Sequence, residues 1–161
     1  MNEHKALTSS AEETFQFGYA IGKSCITTPL IISLIGDLGC GKTAFVQGLA
    51  RGLDVPDTVP VTSPTYGIIH TYSGKVTIHH VDLYRLKDHD EEQLEQIGLS
   101  EIFDDDAVIA IEWADRLPAL WYEHYVSLSL TFTILSDQQR DIHVRVLKQE
   151  QCSLNTLPLI K

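Results

Sequence analysis

Hydrophobic and polar positions change their period several times along the first third of the chain. Residues 10–25 place apolar or small side chains at helical spacing, and Ser10 with Glu13 forms a capping-box pattern, which predicts a helix. The run 30-LIISLI-35 follows a proline and has the length of a buried strand. A glycine-rich loop comes next, and the spacing after it predicts a helix from Lys42 to about Leu53.

The rest of the chain predicts two hairpins separated by a helix and a strand. Residues 65–86 hold two β-rich runs around Ser73-Gly74, and residues 124–135 and 140–147 alternate around 136-SDQQ-139. Between the hairpins, residues 88–103 open with acids and predict one helix, with Gly98 near its end. The run 107-AVIAIEW-113 predicts a buried strand. This order favours an α/β fold with a mixed central sheet and helices on both faces.

Length and composition point to an ordinary globular chain. With 161 residues, 43% hydrophobic and 21% charged, we expect a single domain over residues 1–161. No apolar run approaches the ~20 residues of a membrane-spanning helix, and the first residues lack the pattern of a secretion signal. Cys25, Cys40 and Cys152 have no zinc spacing and suit reduced thiols, so we expect a cytoplasmic protein with no membrane association.

The charge balance restricts the partners. A net charge of −10 argues against a protein that grips a nucleic-acid backbone alone, because such binding needs a basic face. A local basic patch would be the exception to this argument. If RNA is involved, we therefore expect a partner to hold it.

The glycine-rich loop carries the strongest functional pattern. Residues 36-GDLGCGKT-43 fit G-x-x-x-x-G-K-[ST], in which glycines let backbone N–H groups surround phosphate oxygens at a helix N-terminus. Lys42 is expected to reach the β and γ phosphates and Thr43 to hold Mg²⁺. The alternative is an ordinary glycine turn, and the spacing disfavours a dinucleotide. The residues predicted to bind a nucleoside triphosphate are Asp37, Leu38, Gly39, Cys40, Gly41, Lys42, Thr43 and Ala44.

Two acids end predicted strands and are candidates for the metal site. Asp82 ends 76-VTIHHVD-82 and Glu112 ends 107-AVIAIE-112, and strand ends face the ligand in open α/β sheets. Glu112 would bind Mg²⁺ through water or orient an attacking water. The alternative for both acids is a helix cap or a solvated carboxylate. Thr65, in 63-SPTY-66, is either a switch hydroxyl or part of a plain turn, and Trp113 is either core or at the site mouth.

Other polar residues carry weaker signals. His79 and His80 lack metal-ligand spacing, and a strand histidine is more often packed or exposed than catalytic. Cys40 lies inside the loop, where small-residue packing is a better explanation than redox sensitivity.

The motifs GDLGCGKT, SPTY, HHVDLYRL, EEQLEQIGLSEIF and VIAIEW, in that order, resemble the TsaE (YjeE) family over about residues 8 to 116. The resemblance implies a small P-loop ATPase of bacterial tRNA threonylcarbamoyladenosine synthesis, which modifies position 37 of tRNAs that read codons starting with A. Such a protein works with the TsaB–TsaD heterodimer and contacts tRNA only through it. TsaD carries the transfer chemistry, and ATP hydrolysis supports repeated turnover of the complex.

The resemblance also assigns roles to individual positions. Ser10 is expected near the adenine, and Trp113 matches the EW pair with Glu112. Cys40 and Ala44 replace an alanine and a threonine common in the family. Cys40 would contribute mainly its backbone, whereas Ala44 lacks a hydroxyl that could reach the α-phosphate, which puts ATP affinity in question. The expected metal ligands are Thr43, Asp82 and Glu112. The expected catalytic residues are Lys42, Thr65, Asp82 and Glu112.

None of the five arginines lies in a motif that identifies an arginine finger, so we expect an Mg²⁺-dependent ATPase that is weak alone and activated by a partner. Two alternatives stay open at this point. One is a small P-loop nucleoside or nucleotide kinase, and the other is a nucleotide-gated binding module that does not hydrolyse ATP.

Overall fold

A seven-stranded mixed sheet forms the centre of the computed structural model, which describes residues 2–24, 27–64 and 68–148. The strands lie in the order β1-β7-β6-β2-β5-β4-β3. Their bounds are Asn2–Thr8 (β1), Leu30–Ile35 (β2), Ile69–Ser73 (β3), Thr77–Asp82 (β4), Ala107–Glu112 (β5), Leu128–Ile134 (β6) and Arg140–Val146 (β7).

The centre of the sheet is parallel and its two edges are antiparallel. Strand β2 pairs in parallel with β5 and β6, and β5 pairs in parallel with β4. The pairs β1–β7, β6–β7 and β3–β4 are antiparallel. Because β2, β4 and β5 run in the same direction, their carboxyl ends meet at one edge, where ligands bind in open α/β sheets.

Helices cover both faces of the sheet, which confirms the predicted fold class. Their bounds are Ala11–Ser24 (α1), Lys42–Gly52 (α2), Glu91–Gln96 (α3), Leu99–Phe103 (α4) and Ala119–Tyr125 (α5), with a 3-10 turn at Ala114–Arg116. Phe17 and Phe45 of α1 and α2 pack with Ile32 on one face. Leu99 and Ile109 belong to the core of the other face. None of the helices in the described ranges is long and apolar enough to cross a membrane.

Glycines set the distance between α1 and α2. A Cβ at Gly18 would lie 2.1 Å from the carbonyl oxygen of Phe45, and a Cβ at Gly48 would lie 1.8 Å from that of Phe15. The two backbones therefore touch directly, and α2 is held in a fixed position at the end of β2.

Three elements differ from the sequence expectation. Residues 88–103 form two short helices, because Gly98 adopts a left-handed conformation with φ 80° and ends the first. The predicted strand start at residue 124 is wrong, since α5 extends to Tyr125 and packs its aromatic rings on Phe103. Strand β1 was not predicted. It is an edge strand that pairs only with β7 among the described strands, and its buried residues include the small Ala6 and the polar Thr8, which give little hydrophobic alternation.

Candidate functional site

The glycine loop, residues 36–43, joins the end of β2 to the start of α2. Gly39 and Gly41 have φ values of 77° and 106°, which residues with a Cβ rarely adopt. A Cβ at Gly36 would lie 2.8 Å from the carbonyl oxygen of Phe132 on β6. The loop therefore needs glycine for conformation at two positions and for close packing at a third, and it presents the N-terminus of α2 to the cavity described next.

A cavity of about 350 Å³ lies against the loop at the carboxyl ends of β4 and β5. It is open on one side, where Leu38 is 75% exposed. The cavity brings together residues from the loop, α2 and the two strand ends, and its lining is Leu38, Gly39, Cys40, Gly41, Lys42, Thr43, Ala44, Ser63, Asp82, Tyr84, Glu112 and Trp113.

Lys42 places a positive charge in this cavity. Lys42 is only 5% exposed, and its Nζ donates to the carbonyl oxygens of Gly36 at 2.6 Å and Asp37 at 3.1 Å. Nζ also lies 4.3 Å from the centroid of the Trp113 ring. Among the described residues no carboxylate forms a salt bridge with Lys42. The ammonium charge is therefore held by neutral groups and remains available to an anion.

Glu112 connects the strand end to the glycine loop. Its carboxylate oxygen Oε1 accepts a hydrogen bond from the Thr43 hydroxyl at 3.0 Å and lies 2.8 Å from Nε2 of His80. Glu112 is only 4% exposed, and it is the register partner of Asp82 on β4. The structure thus brings together two of the predicted metal ligands, Thr43 and Glu112, in direct contact.

Asp82 is more fully engaged by the protein than Glu112. Its Oδ2 accepts from the Ser63 hydroxyl at 2.6 Å, and its Oδ1 accepts from the backbone N–H of Tyr84 at 2.8 Å. These bonds tie the end of β4 to the segment before it and to the turn after it. Asp82 lines the cavity, but both carboxylate oxygens already have hydrogen-bond partners.

Trp113 forms one wall of the cavity mouth. It has a left-handed backbone with φ 57°, and its ring lies 5.0 Å from the ring of Tyr84. The guanidinium carbon of Arg116 lies 5.4 Å from the Trp113 ring, and Nη1 of Arg116 donates to the carbonyl oxygens of Leu83, Tyr84 and Leu86. Both sequence alternatives for Trp113 hold, since the ring also packs against the apolar core of its own face.

A second cavity, of about 230 Å³, adjoins the first on the other side of the loop. The two cavities share Gly39, Gly41 and Ala44. Ser10 lines the second cavity and caps α1 by accepting from the backbone N–H of Glu13 at 3.1 Å. The full lining is Ser10, Ala11, Thr14, Gly39, Gly41, Ala44, Asp137, Gln138 and Arg140.

Arg140, at the start of β7, supports the glycine loop from the hairpin. Its Nε donates to the carbonyl oxygen of Cys40 at 3.1 Å, and its Nη2 donates to that of Gly39 at 3.3 Å. Its Nη1 donates to carbonyls of the hairpin turn, those of Ser136 at 2.7 Å and Gln139 at 2.9 Å. Sequence reasoning missed this role, because the contact spans a hundred positions and no local motif marks it.

The thiol of Cys40 is buried under the loop. Burial raises the pKa of this thiol, while the nearby Lys42 ammonium, 3.5 Å away, acts in the opposite direction. The residue is 1% exposed, which supports the packing explanation over the redox one. Cys25 and Cys152 lie outside the described residues.

Most of the predicted site residues surround the two cavities. Asp37 contributes its main-chain carbonyl, which accepts from Lys42 Nζ. Thr65 lies outside the described residues, so its switch role stays a prediction. His80 was expected to be packed or exposed; it is packed, and it also contacts Glu112, which the spacing of the histidines did not indicate.

The oxygen donors around Thr43 suit a hard divalent cation. Within the described ranges, no group of three or more His, Cys, Asp or Glu side chains is arranged to hold a metal ion by itself. Mg²⁺ does not need such a cage, because it is bound through one or two carboxylates together with substrate phosphates and water. Thr43, Glu112 and Asp82 offer a hydroxyl and two carboxylates beside the predicted phosphate loop, and this set fits Mg²⁺.

Comparison with known proteins gives a consistent result. The family model described as threonylcarbamoyl adenosine biosynthesis protein TsaE matches residues 8–142. The chain is 34% identical over 140 residues to the "tRNA threonylcarbamoyladenosine biosynthesis protein TsaE" of Treponema pallidum, covering 87% of this chain and 98% of that protein. The protein of the same name from Nostoc sp. is 35% identical over 142 residues, with 86% and 84% covered.

A solved structure shares the fold. The crystal structure of YdiB from Bacillus subtilis superposes with a TM-score of 0.66 at 27% sequence identity, covering 91% of this chain and 86% of that one. The residues that the family model matches, 8–142, include the glycine loop and both strand-end acids.

Proposed function

This chain belongs to the TsaE family, which acts in tRNA threonylcarbamoyladenosine biosynthesis, and from this premise we propose that it is an Mg²⁺-dependent ATPase of that pathway. One observation carries the ATPase proposal. The Thr43 hydroxyl at the end of the glycine loop donates to the strand-end carboxylate of Glu112. Beside them lies the ammonium group of Lys42, which packs over the Trp113 ring and forms no salt bridge among the described residues. A hydroxyl, a carboxylate and an ammonium group around one cavity support a site for a triphosphate with its Mg²⁺.

The two adjoining cavities divide the nucleotide between them. The triphosphate would lie in the 350 Å³ cavity, against the main-chain N–H groups of the loop and Lys42. The nucleoside would lie in the 230 Å³ cavity beside Ser10, with Gly39, Gly41 and Ala44 between the two parts. The phosphate groups of a nucleotide are the anions that this combination of amides and ammonium suits best.

Thr43 and Glu112 would hold Mg²⁺, directly or through water. The bound ion supplies charge neutralisation at the β and γ phosphates. Asp82 would lie beside them, with its carboxylate oriented by the Ser63 hydroxyl and the Tyr84 amide. Glu112 has both of its bonds on Oε1, so its other oxygen is the one best suited to orient a water for attack.

The arginines support the proposal of weak hydrolysis in isolation. Arg51, Arg116 and Arg140 each donate to main-chain carbonyl oxygens, which fixes their guanidinium groups in structural roles. A guanidinium directed at the γ-phosphate is worth roughly 10³–10⁵ in turnover in related enzymes. We propose that a partner, the TsaB–TsaD complex, completes the site, and that tRNA is contacted through that complex because the chain carries a net charge of −10. We also propose that residues 1–161 form one domain and that the protein acts in the cytoplasm.

The test is the rate of ATP hydrolysis by the purified chain alone, with TsaB–TsaD, and with TsaB–TsaD and tRNA. We expect slow hydrolysis alone and acceleration by the complex, by roughly 10³-fold or more if the complex supplies an arginine. Fast turnover by the chain alone would contradict partner activation. Phosphorylated nucleosides or nucleoside monophosphates among the products would support the kinase alternative instead.

A further inference from the structure

A histidine behind Glu112 has no role in the function proposed so far. His80 lies in the middle of β4, in register with Ala110 of β5, and it is fully buried. Its Nε2 is 2.8 Å from Glu112 Oε1. Its other ring nitrogen, Nδ1, is buried and has no hydrogen-bond partner among the described residues. A buried imidazole with a single polar contact is costly, which suggests that the contact has a use.

The contacts of the ring define its tautomer. An ionised carboxylate only accepts hydrogen bonds, so the nitrogen that faces Glu112 must carry the hydrogen. In the neutral ring the hydrogen then sits on Nε2, and the buried Nδ1 carries a lone pair and needs no acceptor. This assignment follows from the hydrogen-bond network, as tautomers do in general.

The bond from His80 continues through Glu112 to Thr43. The same oxygen, Glu112 Oε1, accepts from His80 Nε2 and from the Thr43 hydroxyl at 3.0 Å. A hydroxyl has one hydrogen and two lone pairs, so a Thr43 hydrogen directed at Glu112 leaves the oxygen lone pairs for another ligand. A carboxylate without the His80 bond would be free to rotate and would no longer fix that direction.

We propose that His80 is a positioning residue, which orients Glu112 and through it Thr43 for Mg²⁺ bound with the nucleotide. The proposal rests on the function proposed above and adds a second layer to the metal site. Groups that orient metal ligands in this way typically change metal affinity or activity by roughly 10–100-fold when they are removed.

The neighbouring histidine provides a matched control. His79 lies on the same strand, with Nδ1 2.9 Å from the Thr71 hydroxyl and Nε2 2.9 Å from Asp105 Oδ2. Because successive side chains of a strand point to opposite faces of the sheet, His79 lies on the face opposite to His80. His79 is not among the residues that line either cavity. Substitution there tests for the effect of losing a histidine from β4 without changing the site.

The first experiment measures ATP affinity by calorimetry with Mg²⁺ and with EDTA. We expect His80→Leu to reduce the gain in affinity that Mg²⁺ provides by about 10-fold or more, and to leave the affinity in EDTA unchanged. His80→Gln, which keeps an N–H donor at similar reach, should restore most of that gain. His79→Leu and His79→Gln should behave as the wild type.

The outcomes separate the two proposals. A wild-type chain that binds ATP equally with Mg²⁺ and with EDTA would remove the proposed metal site itself. A wild-type Mg²⁺ effect that persists unchanged in His80→Leu would overturn only the role of His80, as would a His80→Gln variant no better than His80→Leu.

A second measurement needs no substitution of His80 and so does not depend on the folding of its variants. Long-range ¹H–¹⁵N NMR spectra of the wild-type chain should show His80 as the Nε2–H tautomer, and Glu112→Gln should shift its Nε2 resonance. An Nδ1–H tautomer, or an Nε2 signal that does not respond to Glu112→Gln, would overturn the proposal.

Discussion

The parallel centre of the sheet and its antiparallel edge both reach the glycine loop, but they contact it with different groups. From the centre, Glu112 of β5 binds the side chain of Thr43, and Asp82 of β4 lines the same cavity. From the edge, Arg140 of β7 binds only main-chain carbonyls of Gly39 and Cys40. The centre therefore supplies chemical groups, whereas the edge supplies support for the loop backbone.

This difference gives an order of expected effects. Substitutions of the charged groups at the centre should alter nucleotide binding or turnover directly. Substitutions at the edge should act through the position of the loop, so they should reduce affinity more than they reduce turnover at saturating ATP. The predictions below test that order.

The largest effect on ATP binding is expected for Lys42→Ala. It removes the ammonium group from the triphosphate cavity, where it forms no salt bridge with any carboxylate of the described residues. A charge-assisted bond to phosphate contributes roughly 1.5–3 kcal/mol, so ATP affinity should fall by about 10–100-fold or more. Calorimetry measures the affinity, and circular dichroism checks that the fold is kept. Unchanged affinity in a folded variant would contradict the whole site assignment.

The largest effect on turnover is expected for Glu112→Gln, which keeps the shape of the side chain and removes its charge. ATP hydrolysis with the partner complex present should fall by about 10²–10⁴-fold, because a positioned base or water-orienting group contributes that much. ATP binding in EDTA should stay close to that of the wild type, and the gain in affinity that Mg²⁺ provides should fall at least as much as in His80→Leu.

Asp82→Asn serves as the matched comparison for Glu112, since the two acids are register partners. Asp82 is held by Ser63 and Tyr84, so its replacement should affect stability more than turnover. If Glu112→Gln abolishes hydrolysis but keeps full tRNA modification, that result would favour the nucleotide-gated binding module.

The same contrast explains what the sequence could predict. The glycine loop, Lys42, Thr43 and the strand-end acids follow local rules, because each lies at a fixed place relative to a strand end or a helix start. A motif of eight residues and two apolar runs therefore predicted most of the residues that line the 350 Å³ cavity, but not Ser63 and Tyr84. The α/β fold class followed from the alternation of helices and strands.

The parts that were missed depend on contacts between distant segments. Arg140 and Cys40 are a hundred positions apart, and only the pairing of β6 with β2 brings the hairpin to the loop. His80 resembles any strand histidine until the register of β4 and β5 places it behind Glu112. Strand β1 was missed for a related reason, since it depends on pairing with β7, and its own apolar pattern is short.

A smaller effect is expected for Arg140→Ala at the edge. The variant loses two hydrogen bonds to loop carbonyls, each worth roughly 0.5–1.5 kcal/mol. Because these bonds already hold the loop before a nucleotide binds, only part of that free energy should appear in ATP affinity, which should fall by less than in Lys42→Ala. The rate at saturating ATP should stay close to that of the wild type. Arg145→Ala is the control, because Arg145 lies on the same strand and pairs with Glu3 at 3.9 Å, on the outer strand β1. Equal effects of the two substitutions would show that the loop contact is irrelevant.

The smallest effect on the site is expected for Cys40→Ala, in the part of the glycine loop that contacts both Lys42 and Arg140. Arg140 binds the carbonyl of Cys40, and Lys42 contacts its sulfur, but alanine keeps the backbone that Arg140 uses. Loss of the buried sulfur should lower the free energy of unfolding by about 1 kcal/mol at pH 7.

That difference should depend on pH. Burial raises the pKa of the Cys40 thiol, so the folded chain holds the proton more tightly than the unfolded chain does. Below the ordinary thiol pKa of about 8.5 both states are protonated, and the thiol makes no pH-dependent contribution. Above it the unfolded state is favoured, and the wild type should lose stability relative to Cys40→Ala. Urea unfolding of both chains at pH 7 and at higher pH measures the change. A constant difference between them would mean that the thiol titrates alike in both states.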